Sequence, residues 1–281
     1  MRDIKDYVIL NNGVKMPLLG FGTYNANDSE ELMRAIKKSM KIGYRHIDTA
    51  SFYENENIIG SVINESGISR EEIFLVNKVW NSDQGYEKTL QAFQKSIKNL
   101  KTDYLDAYLI HWPQTLNKET WKALEKLSKE GYVRAIGVSN FTVNHLKRLI
   151  EDAEILPSIN QIEFHPRLVQ NELMEFCKEH KIQIESWSPL MRGRVFQIPL
   201  LQELSKKYGK TISQIVLRWD LQMGVVTIPK STTISRIKEN ADIFKFEITE
   251  DDMDKIRKLN DGFRIGMNPD IVYENPKIIK I

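Results

Sequence analysis

Asp48, Tyr53, Lys78 and His111 are polar residues in places where the surrounding pattern otherwise runs apolar. Asp48, Lys78 and His111 close the β-like runs YRHID (44–48), IFLVNK (73–78) and LDAYLIH (105–111), and Tyr53 lies in the loop just after Asp48. Strands buried on both faces read as near-continuous hydrophobic runs, so a charge in their last positions has either a partner or a task. A phenol, an ammonium, a carboxylate and an imidazole at one mouth could move a proton at neutral pH. Free tyrosine titrates near pKa ~10, too high for efficient donation. The Lys78 ammonium is expected to lower that value, and Asp48 to keep the lysine charged. His111 is left to orient a substrate oxygen. The chemistry that follows is carbonyl reduction, with hydride arriving at carbon while Tyr53 protonates oxygen. Taken singly, His111 reads as an ordinary core histidine, and Asp48 with Lys78 as a structural ion pair. Collected on one rim, they read as a site.

The elements that must position them alternate. YVIL (7–10), Asn12-Gly13 and VKM (14–16) predict a β-hairpin. Strands are then expected at 19–22, 44–48, 73–79, 105–111, 133–138, 159–164, 182–187 and 225–228, each followed by helical sequence. Leu32, Ile36 and Met40 form one stripe behind an Asp28 or Ser29 cap; Leu90, Phe93, Ile97 and Leu100 do the same in helix 86–100, and Trp121, Leu124 and Leu127 in helix 119–130. Eight βα units predict an α/β fold, a closed (β/α)8 TIM barrel, as one domain over 1–281 with no linker. Helices 199–208 and 249–260 are extra to the pattern, and the tail 261–281 reads as irregular. Active sites of such barrels lie at the C-terminal ends of the strands, where all four residues map.

The bulk numbers narrow the function classes. The chain has 281 residues, 41% apolar, with a net charge of +2 and no basic run, which argues against nucleic acid or an anionic membrane as partner. MRDIKDY at the start carries charges where a secretory segment needs apolar residues, and no apolar stretch approaches spanning length. A cytoplasmic monomer acting on a small-molecule carbonyl compound is expected. The single Cys177, within LMEFC (173–177), has no disulfide partner and reads as packing.

The hydride needs a source. GFGTYN (20–25) does not fit G-x-G-x-x-G, since Asn25 takes the third glycine's place, and no Walker A run exists. After the eighth strand, IPKSTTISRIKEN (228–240) puts Lys230, Ser231 and Arg236 near a helix start, where barrels often bind phosphate.

At these residues the chain resembles the aldo-keto reductases, nearly end to end. GYRHIDTASFYENENIIG (43–60), RAIGVSNF (134–141) and IPKSTTISRIKENADI (228–243) resemble the family's three signatures, and NKVWNSDQGY (77–86) and LIHWP (109–113) its lysine and histidine segments. The resemblance, closest in kind to bacterial aldehyde and carbonyl reductases, implies Tyr53 as acid, Lys78 and Asp48 as its tuners and His111 as carbonyl orienter. It also implies NADPH across the barrel mouth. Ser139, Asn140 and Gln161 would hold the carboxamide, and Trp187, in place of the tyrosine of many members, would stack on the nicotinamide. Ser188, Leu190 and Arg194 would follow the pyrophosphate. Lys230, Ser231 and Arg236 would take the 2′-phosphate, with Glu239 and Asn240 near the adenine. Gly22, Thr23 and Tyr24 end the first strand, where the family meets nicotinamide and substrate. Tyr24, Trp80 and Trp112 should wall the pocket, favouring flat or apolar carbonyl compounds; small dicarbonyls such as glyoxal and methylglyoxal, aromatic aldehydes and keto-sugars are all candidates.

Two other assignments remain open to the sequence. His46 and Asp48 form an H-x-D pair which, with His111 and His165, would suit a metal-dependent barrel hydrolase. That leaves Lys78 and the 230–236 cations without a role, so no metal is expected. A non-catalytic NADPH-binding regulatory subunit would not need all four residues of the rim.

Overall fold

The computed structural model describes residues 3–26 and 28–274. The hairpin comes first, as β1 (Tyr7–Ile9) paired antiparallel with β2 (Lys15–Pro17). Its turn is closed by Gly13 N–H donating to Leu10 O at 2.9 Å, with Gly13 at φ +85°, a conformation open to glycine. Eight parallel strands follow: β3 (Gly20–Gly22), β4 (His46–Asp48), β5 (Phe74–Val79), β6 (Leu105–Ile110), β7 (Val133–Ser139), β8 (Ile159–Glu163), β9 (Gln183–Trp187) and β10 (Val226–Thr227). They pair in sequence order, and a parallel bridge from Leu19 to Thr227 brings the first and last edges together. Every expected strand is present, with bounds shifted by up to two residues, β7 running one residue longer and the others shorter.

Each strand feeds a helix that covers the sheet. Helix Ser29–Ile42 starts where Asp28 accepts from the N–H groups of Glu30 and Glu31, and it buries Leu32, Ile36 and Met40. Helices Tyr86–Leu100 and Asn117–Lys129 bury Phe93 and Leu100, and Trp121, Leu124 and Leu127, along the expected stripes. The extra helices are Pro199–Tyr208 and Glu250–Arg257. The tail departs from expectation, because Pro269–Glu274 is helical. Pro269 suits the first helical turn, Asn268 Oδ1 accepts from Asp270 N–H, and Val272 is fully buried. The rest of the tail, 275–281, lies outside the described residues. Cys177 is buried on helix Asn171–Glu179, and burial pushes its thiol up to about 12. Among the described residues, no helix is long and apolar enough to cross a membrane.

The barrel interior is filled from strand residues at every second position. At the end nearest the hairpin, Phe74, Val76, Ala107, Leu109, Ala135, Ile159 and Val226 form an apolar cluster closed from below by Leu10 and Met16. Farther along, the inward positions nearest the C-terminal ends carry Lys78, Ser139 and Gln161, with His111 just beyond β6. The core therefore changes from apolar to polar along the strands, toward their C-terminal ends.

Candidate active site

Lys78, on β5, is fully buried, and its ammonium is completely spoken for. Nζ donates to Asp48 Oδ1 at 2.7 Å, to Asp48 Oδ2 at 2.8 Å and to Thr49 O at 2.9 Å. Asp48 is held in turn by Thr23, just beyond β3, whose Oγ1 donates to Asp48 O at 2.9 Å, and Thr49 N–H donates to Val76 O on β5 at 3.0 Å. Tyr53 sits in a short 3-10 turn, Ser51–Tyr53, rather than in open loop. Ser51 Oγ ties that turn to Lys78 O at 3.0 Å. Its half-buried ring lies with its centroid 5.1 Å from Lys78 Nζ and 5.6 Å from the His111 ring. The structure thus brings Asp48, Tyr53, Lys78 and His111 together at one mouth.

One electrostatic expectation is overturned. Burial, and after it the Asp48 charge, hold the Tyr53 phenol well above its ordinary pKa rather than below it. The reason is the ion pair: with Asp48 saturating Lys78, the nearby charge is nearly cancelled, and desolvation of the phenolate wins. His111 behaves as its surroundings dictate. Burial first, then Lys78, depress its pKa well below the ordinary value, so the ring is neutral, and Nδ1 has no partner among the described residues.

The walls are aromatic. Tyr24 packs on Tyr53 at 5.1 Å, and Trp80 lies 5.0 Å from His111. Phe52, which sequence reasoning passed over, stacks on Trp80 at 3.8 Å and meets Tyr53 and His111 edge-on. Its place in SFYEN beside Tyr53 was the available signal. Trp112 is half-buried, and Gln84 Nε2 donates to its carbonyl, but its ring joins none of these stacks.

Around the mouth, Ser139 Oγ donates to Gln161 O at 2.9 Å. Asn140, in left-handed backbone at φ +64°, ties the site together: Nδ2 donates to His111 O at 2.9 Å and Ser139 Oγ at 3.1 Å, while Oδ1 accepts from Trp187 Nε1 at 2.8 Å. Both its N–H groups are therefore spent inside the protein, which leaves only a lone pair on Oδ1 for a ligand. The C-terminal segment, which sequence could not place, lies over this rim. Glu163, at the end of β8, accepts from the N–H groups of Ile265 and Gly266 and faces His165 Nε2 at 3.0 Å. A Cβ at Gly266 would fall 2.4 Å from Trp187 Cη2, so the glycine lets the segment press on the indole edge.

Farther out, Ser188 and Leu190 are half-buried after β9. Ser188 has φ +52°, and Arg194 is exposed with its guanidinium 5.5 Å from the Phe263 ring. After β10, Lys230 Nζ donates to Asn25 O at 3.1 Å, and Ser231 Oγ accepts from Thr233 N–H at 3.1 Å at the start of helix Ile234–Ala241. Lys230 and Arg236 are exposed and have no carboxylate partner among the described residues. Glu239 accepts from Thr211 Oγ1 at 2.8 Å, and Asn240 is buried. Gly22 admits the close pass of the 228–230 segment, because a Cβ there would lie 2.8 Å from Ile228 O.

The residues of the metal assignment separate into different partnerships. His46 faces Glu185, Asp48 holds Lys78, and His165 faces Glu163. Among the described residues, no three of His, Cys, Asp and Glu are grouped so as to hold a metal ion.

Comparison with known proteins adds to this geometry. Residues 18–261 match the description of the Aldo/keto reductase family. The chain is 55% identical to the glyoxal reductase of Bacillus subtilis over 268 residues, covering 95% of this chain and 97% of that protein. It is 46% identical to the methylglyoxal reductase DkgA of Salmonella typhimurium, covering 93% and 96%. Among solved structures, a mutant of Gox0644 in complex with NADPH superposes with a TM-score of 0.90 at 39% identity, covering 95% of this chain and 98% of that one.

Proposed function

Because the chain belongs to the aldo/keto reductase family and is an NADP-dependent oxidoreductase, we propose that it reduces small dicarbonyls such as glyoxal and methylglyoxal, with Tyr53 as proton donor. Aromatic aldehydes and keto-sugars are further candidates. The observation that carries the reading is the Tyr53 phenol, half-buried between the neutral His111 ring and the Lys78–Asp48 pair.

The residues present fit the cofactor. Lys230 and Arg236 offer exposed cations, with no carboxylate partner among the described residues, beside the Ser231 hydroxyl, a donor set suited to the 2′-phosphate. Trp187 offers a half-buried indole fixed at both edges, Asn140 on one side and Gly266 on the other, on which a nicotinamide ring would stack. Ser139, Asn140 and Gln161 would meet the carboxamide, and Gly22 and Thr23 would approach the ring from β3. Ser188, Leu190 and Arg194 would follow the pyrophosphate, and Glu239 and Asn240 the adenine. When bound, the nicotinamide supplies hydride to the carbonyl carbon.

The chain supplies the rest. His111, kept neutral, donates a ring N–H to the carbonyl oxygen and holds it near Tyr53. Tyr53, its pKa raised by burial and Asp48, stays protonated across neutral pH and gives its proton only as hydride arrives, when the same oxygen becomes an alkoxide and a stronger base than the phenolate. Lys78 has no N–H left for a ligand; its ion pair with Asp48 and its bond to Thr49 O fix the floor of the site beneath the Tyr53 ring. Phe52, Trp80 and Tyr24 leave a flat aromatic entrance that excludes water from the transfer.

The test is a panel of glyoxal, methylglyoxal, an aromatic aldehyde and a keto-sugar, followed by NADPH consumption, with and without excess EDTA. The dicarbonyls are expected to give the highest kcat/KM, unaffected by EDTA. Cofactor binding without turnover of any member would favour the regulatory-subunit alternative, and activity lost to EDTA the metal one.

A further inference from the structure

Beneath the catalytic group lies a buried pair that the reaction above does not use. Glu185, on β9, and His46, on β4, are fully buried, and Glu185 Oε1 faces His46 Nε2 at 3.2 Å. His46 Nδ1 faces the carbonyl oxygen of Pro17 at 3.4 Å, so that nitrogen carries the hydrogen of the neutral ring. Nε2 is then a bare lone pair opposite a carboxyl oxygen, and neither atom has a hydrogen-bond partner among the described residues. Two acceptors facing each other in a dry interior would leave both unsatisfied, so one proton lies between them. Burial first, then Asp48, push the Glu185 carboxyl up to about 8, and burial lowers the His46 ring to about 4. Both effects put that proton on the carboxyl, which donates to the ring.

The other oxygen of Glu185 reaches the cofactor side. Gln161 Nε2 donates to Glu185 Oε2 at 2.7 Å and to Asp48 Oδ2 at 2.7 Å. Both Asp48 oxygens accept from the Lys78 ammonium, and the proton on Glu185 points at His46. An amide between these two oxygens can therefore present only its NH2. Both N–H groups are used, and Gln161 Oε1 makes no hydrogen bond among the described residues. We propose that Glu185, with the proton it shares with His46, is a positioning residue that locks the Gln161 amide so that its carbonyl oxygen accepts from the NH2 of the nicotinamide carboxamide. This rests on the cofactor placement proposed above.

The experiment compares dissociation constants, read by quenching of tryptophan fluorescence in the full chain, for NADPH and for its 3-acetylpyridine analogue, which lacks that NH2. Wild type is expected to favour NADPH by roughly 3- to 10-fold, the worth of one neutral hydrogen bond. Glu185→Ala should reduce the preference, because the Gln161 amide is then free to turn and only the Asn140 Oδ1 lone pair still accepts from the NH2. Glu185→Gln should keep it, since an amide there still accepts from Gln161 and donates to His46, as the protonated acid does. Absence of the preference in wild type, its undiminished persistence in Glu185→Ala, or its reduction in Glu185→Gln would each overturn the assignment. The glutamine variant decides the matter if the alanine variant does not fold. Failure of wild type to bind either compound would instead overturn the cofactor reading.

Discussion

At the hairpin end of the barrel, β5 to β8 point Phe74, Val76, Ala107, Leu109, Ala135 and Ile159 inward against Leu10 and Met16. At the other end of the same strands, and of β4 and β9, the inward positions carry Asp48, Lys78, Gln161 and Glu185, with His111 just beyond β6. The lower end gains stability by burying apolar surface and does no chemistry. The upper end buries four ionisable groups, and their desolvation is offset in part by the Lys78–Asp48 ion pair and the hydrogen bonds of Gln161 to Asp48 and Glu185. The difference teaches that one scaffold separates its two tasks by height along the strand: substitution below should move stability, and substitution above should move rate.

The largest separation is expected from Tyr53→Phe. The ring remains to pack on Tyr24, so NADPH binding should be nearly intact, while carbonyl reduction falls by ~10²–10⁴-fold or more. A variant with more than half the wild-type turnover would break the assignment of chemistry to the upper end. Met16→Ala is the counterpart below. Met16 is fully buried, and its truncation should cost about 2–5 kcal/mol in a urea titration, with kcat/KM of the folded protein unchanged. A stable protein with impaired turnover would show that the two ends are coupled.

Arg236→Ala sharpens the comparison at the outer rim. Losing one charge-assisted bond to phosphate should weaken NADPH about tenfold or more and leave NADH nearly unaffected. Equal weakening of both would remove Arg236 from the 2′-phosphate site. The smallest effect is expected from pH. The depressed pKa of His111 means that the ring is already neutral at its ordinary titration point near ~6.5, so the rate should show no step there. The raised pKa of Tyr53 means that its protonated form persists upward, so the rate should fall only above pH ~10. His111→Gln, which keeps a donor, should retain more kcat/KM than His111→Ala across that range, and equal damage would reduce His111 to a wall of the pocket.

Much of this was legible without coordinates. The alternation of apolar runs with amphipathic stripes determined the eight βα units, because burial on both faces of a strand and on one face of a helix imposes those periods on the sequence itself. Asp48, Lys78 and His111 stood out for the same reason, as charges ending runs that should be apolar. Tertiary structure alone decided the rest. It placed Phe52 on Trp80, set Glu163 against the backbone of residues 265–266, and paired Glu185 with His46 from strands distant in the chain. The helix at Pro269–Glu274 was missed because six residues show too little periodicity, and burial of Val272 against the fold helps hold it. The direction of the Tyr53 shift was also out of reach. Residue types name the charges near a phenol, but its pKa depends on how completely Asp48 saturates Lys78 and how little water remains, and both are set by distances that only the closed barrel creates.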